Sequence, residues 1–543
     1  MRAAINLAMS MIAGLTFSAF ALPAFPGAEG WAGSITGGRG GAVVHVTNLS
    51  AYGNGSFAAA LATSGAKIIV FDVGGVINLQ NTPLTLSSNT TIAGQTAPGG
   101  ITLINGGLYT QYQGTCTNMI VRFIRVRRSA DAPDGDCFRF GYCSGYILDH
   151  CSGRWNSDET LDLDPSNTGT IQYCLLAEPG SCENHYGVGD GYGNNMTLIL
   201  AASTDGRITL YKNIFAHSAK RTPFLSNMGA TAWQDKTYEL INNVFYDDMQ
   251  GSSETFDYGN NIPLNLIGNY YKGGLSASYP STTLYAHSGT VPVKSMMVHA
   301  ADNYHADYPT IKVRNAFFNN ASVLTWVDTV IPPQMTQNIS PVSSAYSEVM
   351  AVAGALPRDS ADLRTIREMQ TMGGGWMTTC AALSDPMLPQ KGTRPVDSDN
   401  DGMPDGWETA HGLDPNNAAD HTTKMNGGYD ALEVYLNELA DSLAPYTAVE
   451  TPPARNLTFD AAPSVRATPN PFHGAVRFTL RNMAGKPVNV AVFDISGRRV
   501  HSAVMTAGVS TVDWNSGNLP SGIYAARFAQ GGKVLETRVS LIR

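Results

Sequence analysis

The chain is short of charge: only 15% of its 543 residues are Asp, Glu, Lys or Arg. Disordered chains combine high charge with few apolar residues, and here 43% of residues are hydrophobic, so the composition excludes that class. A basic excess is missing as well. Against 35 Lys and Arg stand 44 Asp and Glu, and no segment offers the footprint that nucleic acid or an anionic membrane surface demands. No apolar run beyond the first residues reaches the length of a membrane span. Cysteine is scarce, at seven: six fall between Cys116 and Cys182, and Cys380 stands apart, so one thiol is left over whatever pairs form. Asn-Gly occurs in the long N-terminal region only at 54–55 and 105–106 and does not separate most of its apolar runs, which argues against a two-sheet sandwich there. Glycine is plentiful at 55 residues, with 29 prolines, and points to β structure with many turns in a chain long enough for two to four domains.

Residues 1–21, MRAAINLAMSMIAGLTFSAFA, join one Arg, an apolar run and an Ala19-Phe20-Ala21 ending. That pattern predicts a cleavable secretory signal, hence a soluble, exported protein in a compartment that permits disulfides.

From about Ala24 to Gly375, short β-branched and aromatic runs alternate with Gly, Asn, Asp and Ser. Aligned by their apolar cores, the runs YILDHCS, TIQYCLL, TLYKNIF, ELINNVF and NLIGNYY place Cys151, Cys174, Asn213, Asn243 and Asn269 at one position, separated by irregular steps. A fixed core pattern with variable spacing predicts a solenoid, a parallel β-helix whose loops of differing length leave each coil. Stacked in successive coils, the asparagines satisfy one another and the backbone. Cys151 and Cys174 are either a disulfide or two small buried residues.

The stretch DHCSGRWNSDETLDLD, residues 149–164, carries Asp149, Asp158, Glu159, Asp162 and Asp164 on what should be a strand. Alternation turns Leu161 and Leu163 inward and Thr160, Asp162 and Asp164 outward. Fully extended, Asp158 and Asp162 would stand about 13 Å apart, so a bend or a second ion is needed for both to serve cation binding. Carboxylates so crowded form either a solvated acidic rim or an oxygen-ligand site of the kind that selects Ca²⁺. Nearby in a solenoid stand APDGDCF, with Asp134 and Asp136, and HSAKRTP, with Lys220 and Arg221. Acidic and basic groups sharing one groove suit an acidic polysaccharide, with calcium bridging its carboxylates and Arg and Lys holding the rest.

These motifs, together with AFPGAEGWAGSITGGRGG, IIVFDVGGVI and TIAGQTAPGG, resemble the pectate lyase superfamily over roughly residues 24 to 375. The resemblance implies an all-β, right-handed parallel β-helix and calcium-dependent β-elimination on polygalacturonate. It also implies Asp136, Asp158 and Asp162 as calcium ligands with Asp134 beside them, and Arg221 as the base. Lys220, His185 and Arg154 are candidate substrate-binding residues, and Lys220 and His217 are alternative bases. The second arginine that the family often carries five residues after the catalytic one is here Ser226. Elimination needs a base at the acidic hydrogen beside the uronate carboxylate and cations that stabilise the enolate-like charge. A hydrolase would instead need paired acid and base carboxylates. A non-catalytic pectin-binding adhesin is the third reading.

Downstream, DSDNDGMPDGWE sets Asp397, Asp399, Asp401, Asp405 and Glu408 at positions 1, 3, 5, 9 and 12 of a calcium loop, with Gly402 at the sharp turn. With the amphipathic stretch GYDALEVYLNELAD, it resembles thrombospondin type 3 and dockerin-like calcium repeats, and is expected to be a structural spacer. A linker follows. The final eighty or so residues, with NPF, VAVFDISGRRV and LPSGIYAARF, resemble the β-sandwich sorting domain of type IX secretion. A carbohydrate-binding module is the competing reading, resting on Trp514 and Tyr524. The expected organisation is a signal at 1–21, a lyase domain at 22–390, a calcium module at 391–441, a linker at 442–462 and a sorting domain at 463–543. The protein is expected to act as a monomer, outside the cell or attached to its surface.

Overall fold

In the segment KIIVF, Ile69 and Phe71 enter one apolar cluster and Ile68 and Val70 another, so both faces of a single strand are covered. Parallel sheets buried on both sides read as such continuous apolar runs, and the computed structural model of the protein is built from them. It describes residues 22–111, 114–128, 135–163, 166–180, 196–218, 221–226, 237–248, 254–256, 263–275, 284–287, 296–309, 318–319, 324–375, 392–425, 427–444, 464–468, 472–481, 486–495, 497–506, 511–530 and 533–542. Asp134, His185, Lys220, Cys182, Cys380 and the predicted signal at 1–21 lie outside these.

The N-terminal unit is a right-handed parallel β-helix. Its strands form a 9-stranded sheet and a 19-stranded sheet, in which the long strand Met196–Tyr211 joins two ladders. Every pairing between its strands is parallel, as in Tyr146↔Gly169 and Thr170↔Thr209. The asparagine column forms as expected: Asn213 Oδ1 accepts from Cys174 N at 2.8 Å, and Asn243 and Asn269 repeat the pattern. Asn303 extends it by one more coil. Inside, Phe215, Phe245 and Tyr271 stack at 5.1 and 5.0 Å. Cys151 and Cys174 are buried thiols, and the described cysteines contain no disulfide.

The glycine-rich stretch near residue 30 runs across the coils as a strap. Trp31 N, Ala32 N and Gly38 N donate to the hydroxyls of Thr209, Thr170 and Thr91 in turn. A Cβ on Gly38 would lie 1.8 Å from the Lys67 carbonyl oxygen, so no other residue fits that crossing. On another face, the helices Val342–Val352 and Ser360–Thr371 close over the 9-stranded sheet, packing Val349, Met350, Ile366 and Met369 on Leu175, Ile214 and Val244.

The calcium-loop segment is not a spacer. Met403 and the helix Ala431–Leu443 lay Ala431, Leu432 and Leu436 on Ile68, Val70 and Ala93 of the solenoid wall. Arg39 binds Glu433 at 2.8 Å, and Arg394 bridges Asp72 at 2.8 Å to Asp397 at 2.6 Å. Residues 1–448 accordingly form one compact unit and residues 449–543 a second.

That second unit has antiparallel sheets of three and four strands around Phe472, Phe478, Trp514, Tyr524 and Phe528. Trp514 and Tyr524 are 2% and 3% exposed, so they are sandwich core and offer no sugar platform.

Candidate functional site

The strand Glu159–Asp162 lies between Phe138–Arg139, with Leu161↔Phe138 and Asp162↔Arg139 in register, and the long strand Met196–Tyr211. Leu161 and Leu163 enter the core as alternation requires. A bend at Ser157 and Asp158 precedes the strand, fastened by Asp158 N to Gly135 O at 3.3 Å and Gly135 N to Ser157 Oγ at 3.0 Å. Asp136 is held beside it, its Oδ1 accepting from Glu159 N at 2.9 Å and its own N–H donating to the Tyr109 hydroxyl at 2.7 Å. The bend gathers Asp136, Asp158 and Glu159 so that one oxygen from each lies within 4.8 Å of the others.

Two arginines border this cluster. Arg221, in a left-handed backbone conformation just ahead of the strand Phe224–Ser226, contacts Glu159 Oε1 through Nη1. Arg139 Nε lies 3.2 Å from Asp136 Oδ2 and 2.8 Å from Asp162 Oδ2. Asp162, expected among the ligands, therefore stands outside the group of three and faces Arg139. Burial first, then the neighbouring Asp162, holds the Asp136 carboxyl well above its ordinary range; burial and then Asp158 do the same to Glu159. Asp136 Oδ2 is buried and lacks any hydrogen bond. Crowded, desolvated oxygen donors of this kind fit a hard divalent cation.

Other expected residues are placed elsewhere. Arg154 is fully buried, binding Glu178 and Asp362 at 2.8 Å each beneath the helix Ser360–Thr371, so it is a structural cation and no substrate contact. His217 is equally enclosed, its Nδ1 2.9 Å from Asp247 and its Nε2 3.2 Å from Glu368. Burial pulls its pKa down, but the bonds to Asp247 and Glu368 outweigh this and raise it to about 9. Fully buried and engaged through both ring nitrogens, His217 does not reach the groove, which removes it as an alternative base.

In the loop after residue 396, Asp397, Asp399 and Asp401 form one group, and Asp401, Glu408 and Asp420 a second that shares Asp401. Gly402 turns the loop at φ +94°, and its N–H donates to Asp397. Both oxygens of Glu408, a residue with no exposure, are without partners, as are Asp397 Oδ1, Asp399 Oδ2, Asp401 Oδ2 and Asp420 Oδ1. Burial, reinforced by adjacent carboxylates, pushes Asp401 up to about 7 and Glu408 up to about 8. Asp405, expected as a ligand, instead binds the N–H and hydroxyl of Ser398 at 2.7 Å each. Asp420, beyond the twelve-residue spacing, takes its place. Glu159, Arg139 and Asp420 stand in or beside these candidate clusters without having been expected from the sequence.

Residues 467–541 match the family described as a secretion system C-terminal sorting domain. A probable pectate lyase C of Aspergillus oryzae is 31% identical over 449 residues, 80% of this chain and 99% of the relative. One from Aspergillus fumigatus is 32% identical over 430 residues, covering 78% and 95%. Among solved structures, jun a 1, the major allergen from cedar pollen, is similar at 16% identity with a TM-score of 0.45, covering 61% of this chain and 93% of that one.

Proposed function

The chain belongs to the pectate lyase family, and from that premise we propose that it cleaves polygalacturonate by calcium-dependent β-elimination, leaving unsaturated oligogalacturonides. It is a polysaccharide lyase, and its sorting domain marks it as a protein of the cell surface or beyond. The observation that carries the finer reading is the convergence of Asp136, Asp158 and Glu159 with Arg221 on the last of them.

Asp136, Asp158 and Glu159 would hold the groove ion, with Asp162 beside them. Bound there, calcium supplies the positive charge that bridges to a uronate carboxylate and stabilises the enolate-like charge of elimination. The chain does the rest. Arg221 is the base: in its neutral form it takes the proton from the carbon beside the uronate carboxylate, the freed electron pair closes the carbon–carbon double bond, the glycosidic oxygen leaves and takes a proton from water, and the resulting guanidinium pairs with the anionic product. Glu159 orients that guanidinium by direct contact. Asp397, Asp399, Asp401, Glu408 and Asp420 would hold a second, structural ion remote from this chemistry.

The test is the ultraviolet absorbance of the unsaturated uronate, followed on polygalacturonate with calcium and then with chelator. Elimination creates this chromophore and hydrolysis does not. New reducing ends without absorbance would replace the lyase reading with hydrolysis, and full activity in chelator would remove calcium from it.

A further inference from the structure

Arg139 occupies an unusual place among the cations of the groove. Its neighbours in register are Tyr109 on one side and Asp162 on the other, while Leu108, Phe138 and Leu161, the residues between, fill the core. Arg139 thus stands on the outer face of the same ladder as Asp162. Its guanidinium lies over the Tyr109 ring at 5.3 Å, which fixes its direction, and its side chain remains 30% exposed. Arg221 has the same 30% exposure and also rests on a carboxylate of the cluster. Arg139 is one coil before the strand Glu159–Asp162, and Arg221 leads into a strand two coils after it. At ~4.8 Å per coil the two are roughly 14 Å apart along the axis, and they bracket the acids.

Each arginine therefore neutralises carboxylates that a divalent ion would also claim. An ion recruiting Asp136 removes one of the two carboxylates that draw Arg139 inward, and a guanidinium already at the surface then faces whatever anion lies in the groove.

Resting on the lyase reading above, we propose that Arg139 is the second substrate-binding cation: it pairs with a uronate carboxylate once calcium has taken over Asp136. The exchange gives Arg139 opposite effects on the two ligands. It competes with calcium in the absence of substrate and assists substrate in the presence of calcium.

The experiment compares wild type, Arg139→Gln and Arg139→Lys as full-length proteins. Calcium titration of the ion-free proteins by calorimetry, fitted with two sites, should show groove affinity several-fold tighter in Arg139→Gln, because the competing cation is gone. KM for polygalacturonate should rise about ten- to hundred-fold, the worth of a charged hydrogen bond, with kcat little changed. Arg139→Lys, which keeps the charge, should fold in any case and show a smaller rise in KM. If Arg139 only braces the fold, Arg139→Gln will weaken calcium and substrate together and lower the melting temperature, and that outcome overturns the proposal. So does a KM in Arg139→Gln equal to that of wild type. A wild type that yields no unsaturated product defeats the lyase reading alone, since the calcium titration still reports whether Arg139 competes for the acids.

Discussion

Arg221 and His217 are four residues apart and have opposite fates, which is visible only in their contacts. Arg221→Lys retains the charge but shortens the reach and loses the planar fork. If Arg221 moves the proton, kcat should fall about 10²- to 10⁴-fold while KM changes little; stopped-assay kinetics with saturating calcium would read this, and a mere rise in KM would make Arg221 a binding residue. His217, with its pKa raised from 6.5 to about 9, gives a pH signature of the fold. A group whose folded pKa is raised contributes stability that is fully present below about 6.5 and is lost as pH rises through about 9, on the order of a few kcal/mol. The melting temperature of wild type should therefore fall between pH 7 and 9.5, and His217→Asn should flatten that slope. The sequence made Arg221 legible through Lys-Arg-Thr-Pro, and Asp136 and Asp158 through their clusters. It hid Glu159, which shares the alternation parity of Leu161 and Leu163 but sits at the first residue of its strand, beside the bend, where its carboxylate meets Arg221. Arg154 was misread because nothing in its neighbourhood announces that Asp362, 208 residues on, returns to cover it.

At the level of elements, periodicity predicted five successive coils and the asparagine ladder through the later ones, since both are local patterns repeated, while the coils before residue 146 and the one at Asn303 escaped it. What periodicity lacks is information on which outer faces are covered. Ile68 and Val70 signalled a covered face, yet only the structure shows that the cover is the calcium segment. Here the loop acts as a clasp: Asp397 receives both Gly402 N and Arg394, Arg394 also binds Asp72, and His45 joins Asp72 to the Asn400 carbonyl. Without a cation, buried carboxylates on Asp401 and Glu408 repel one another, and the strain falls on this joint. Glu408→Gln should lower the melting temperature measured in calcium and remove most of its further drop in chelator. Asp158→Ala should lose lyase activity at low calcium while keeping that melting temperature, because Asp158 is at the groove and contributes little to the core. Hydrogen exchange at Lys67–Phe71 should accelerate in the Glu408 variant only; equal protection in both variants would show that the clasp carries no load.

Across the whole molecule, the division of labour depends on where the chain is cut. A boundary near residue 390, as composition suggests, separates catalysis from everything downstream on the assumption that the calcium loop is a spacer. The packing contradicts this, because such a cut strips Met403, Leu432 and Leu436 from Ile68, Val70 and Ala93 and leaves Arg39 without Glu433. Exposing a buried Val, Leu or Ile side chain costs about 1.5–3 kcal/mol each, so several together approach the roughly 5–15 kcal/mol that keeps a domain folded. The cut that respects the structure falls after Ala448, where the two compact units divide. A protein ending there should keep the full kcat on polygalacturonate and the melting temperature of the whole, and fail to reach the surface of its native host for want of the sorting domain at residues 467–541. One ending at Gln390 should melt well below it and aggregate through the bared wall, while any fraction that stays folded keeps the groove residues and hence its turnover. Equal melting temperatures for the two truncated proteins would show that the clasp and its apolar seat contribute nothing to the solenoid, and would restore the boundary near residue 390.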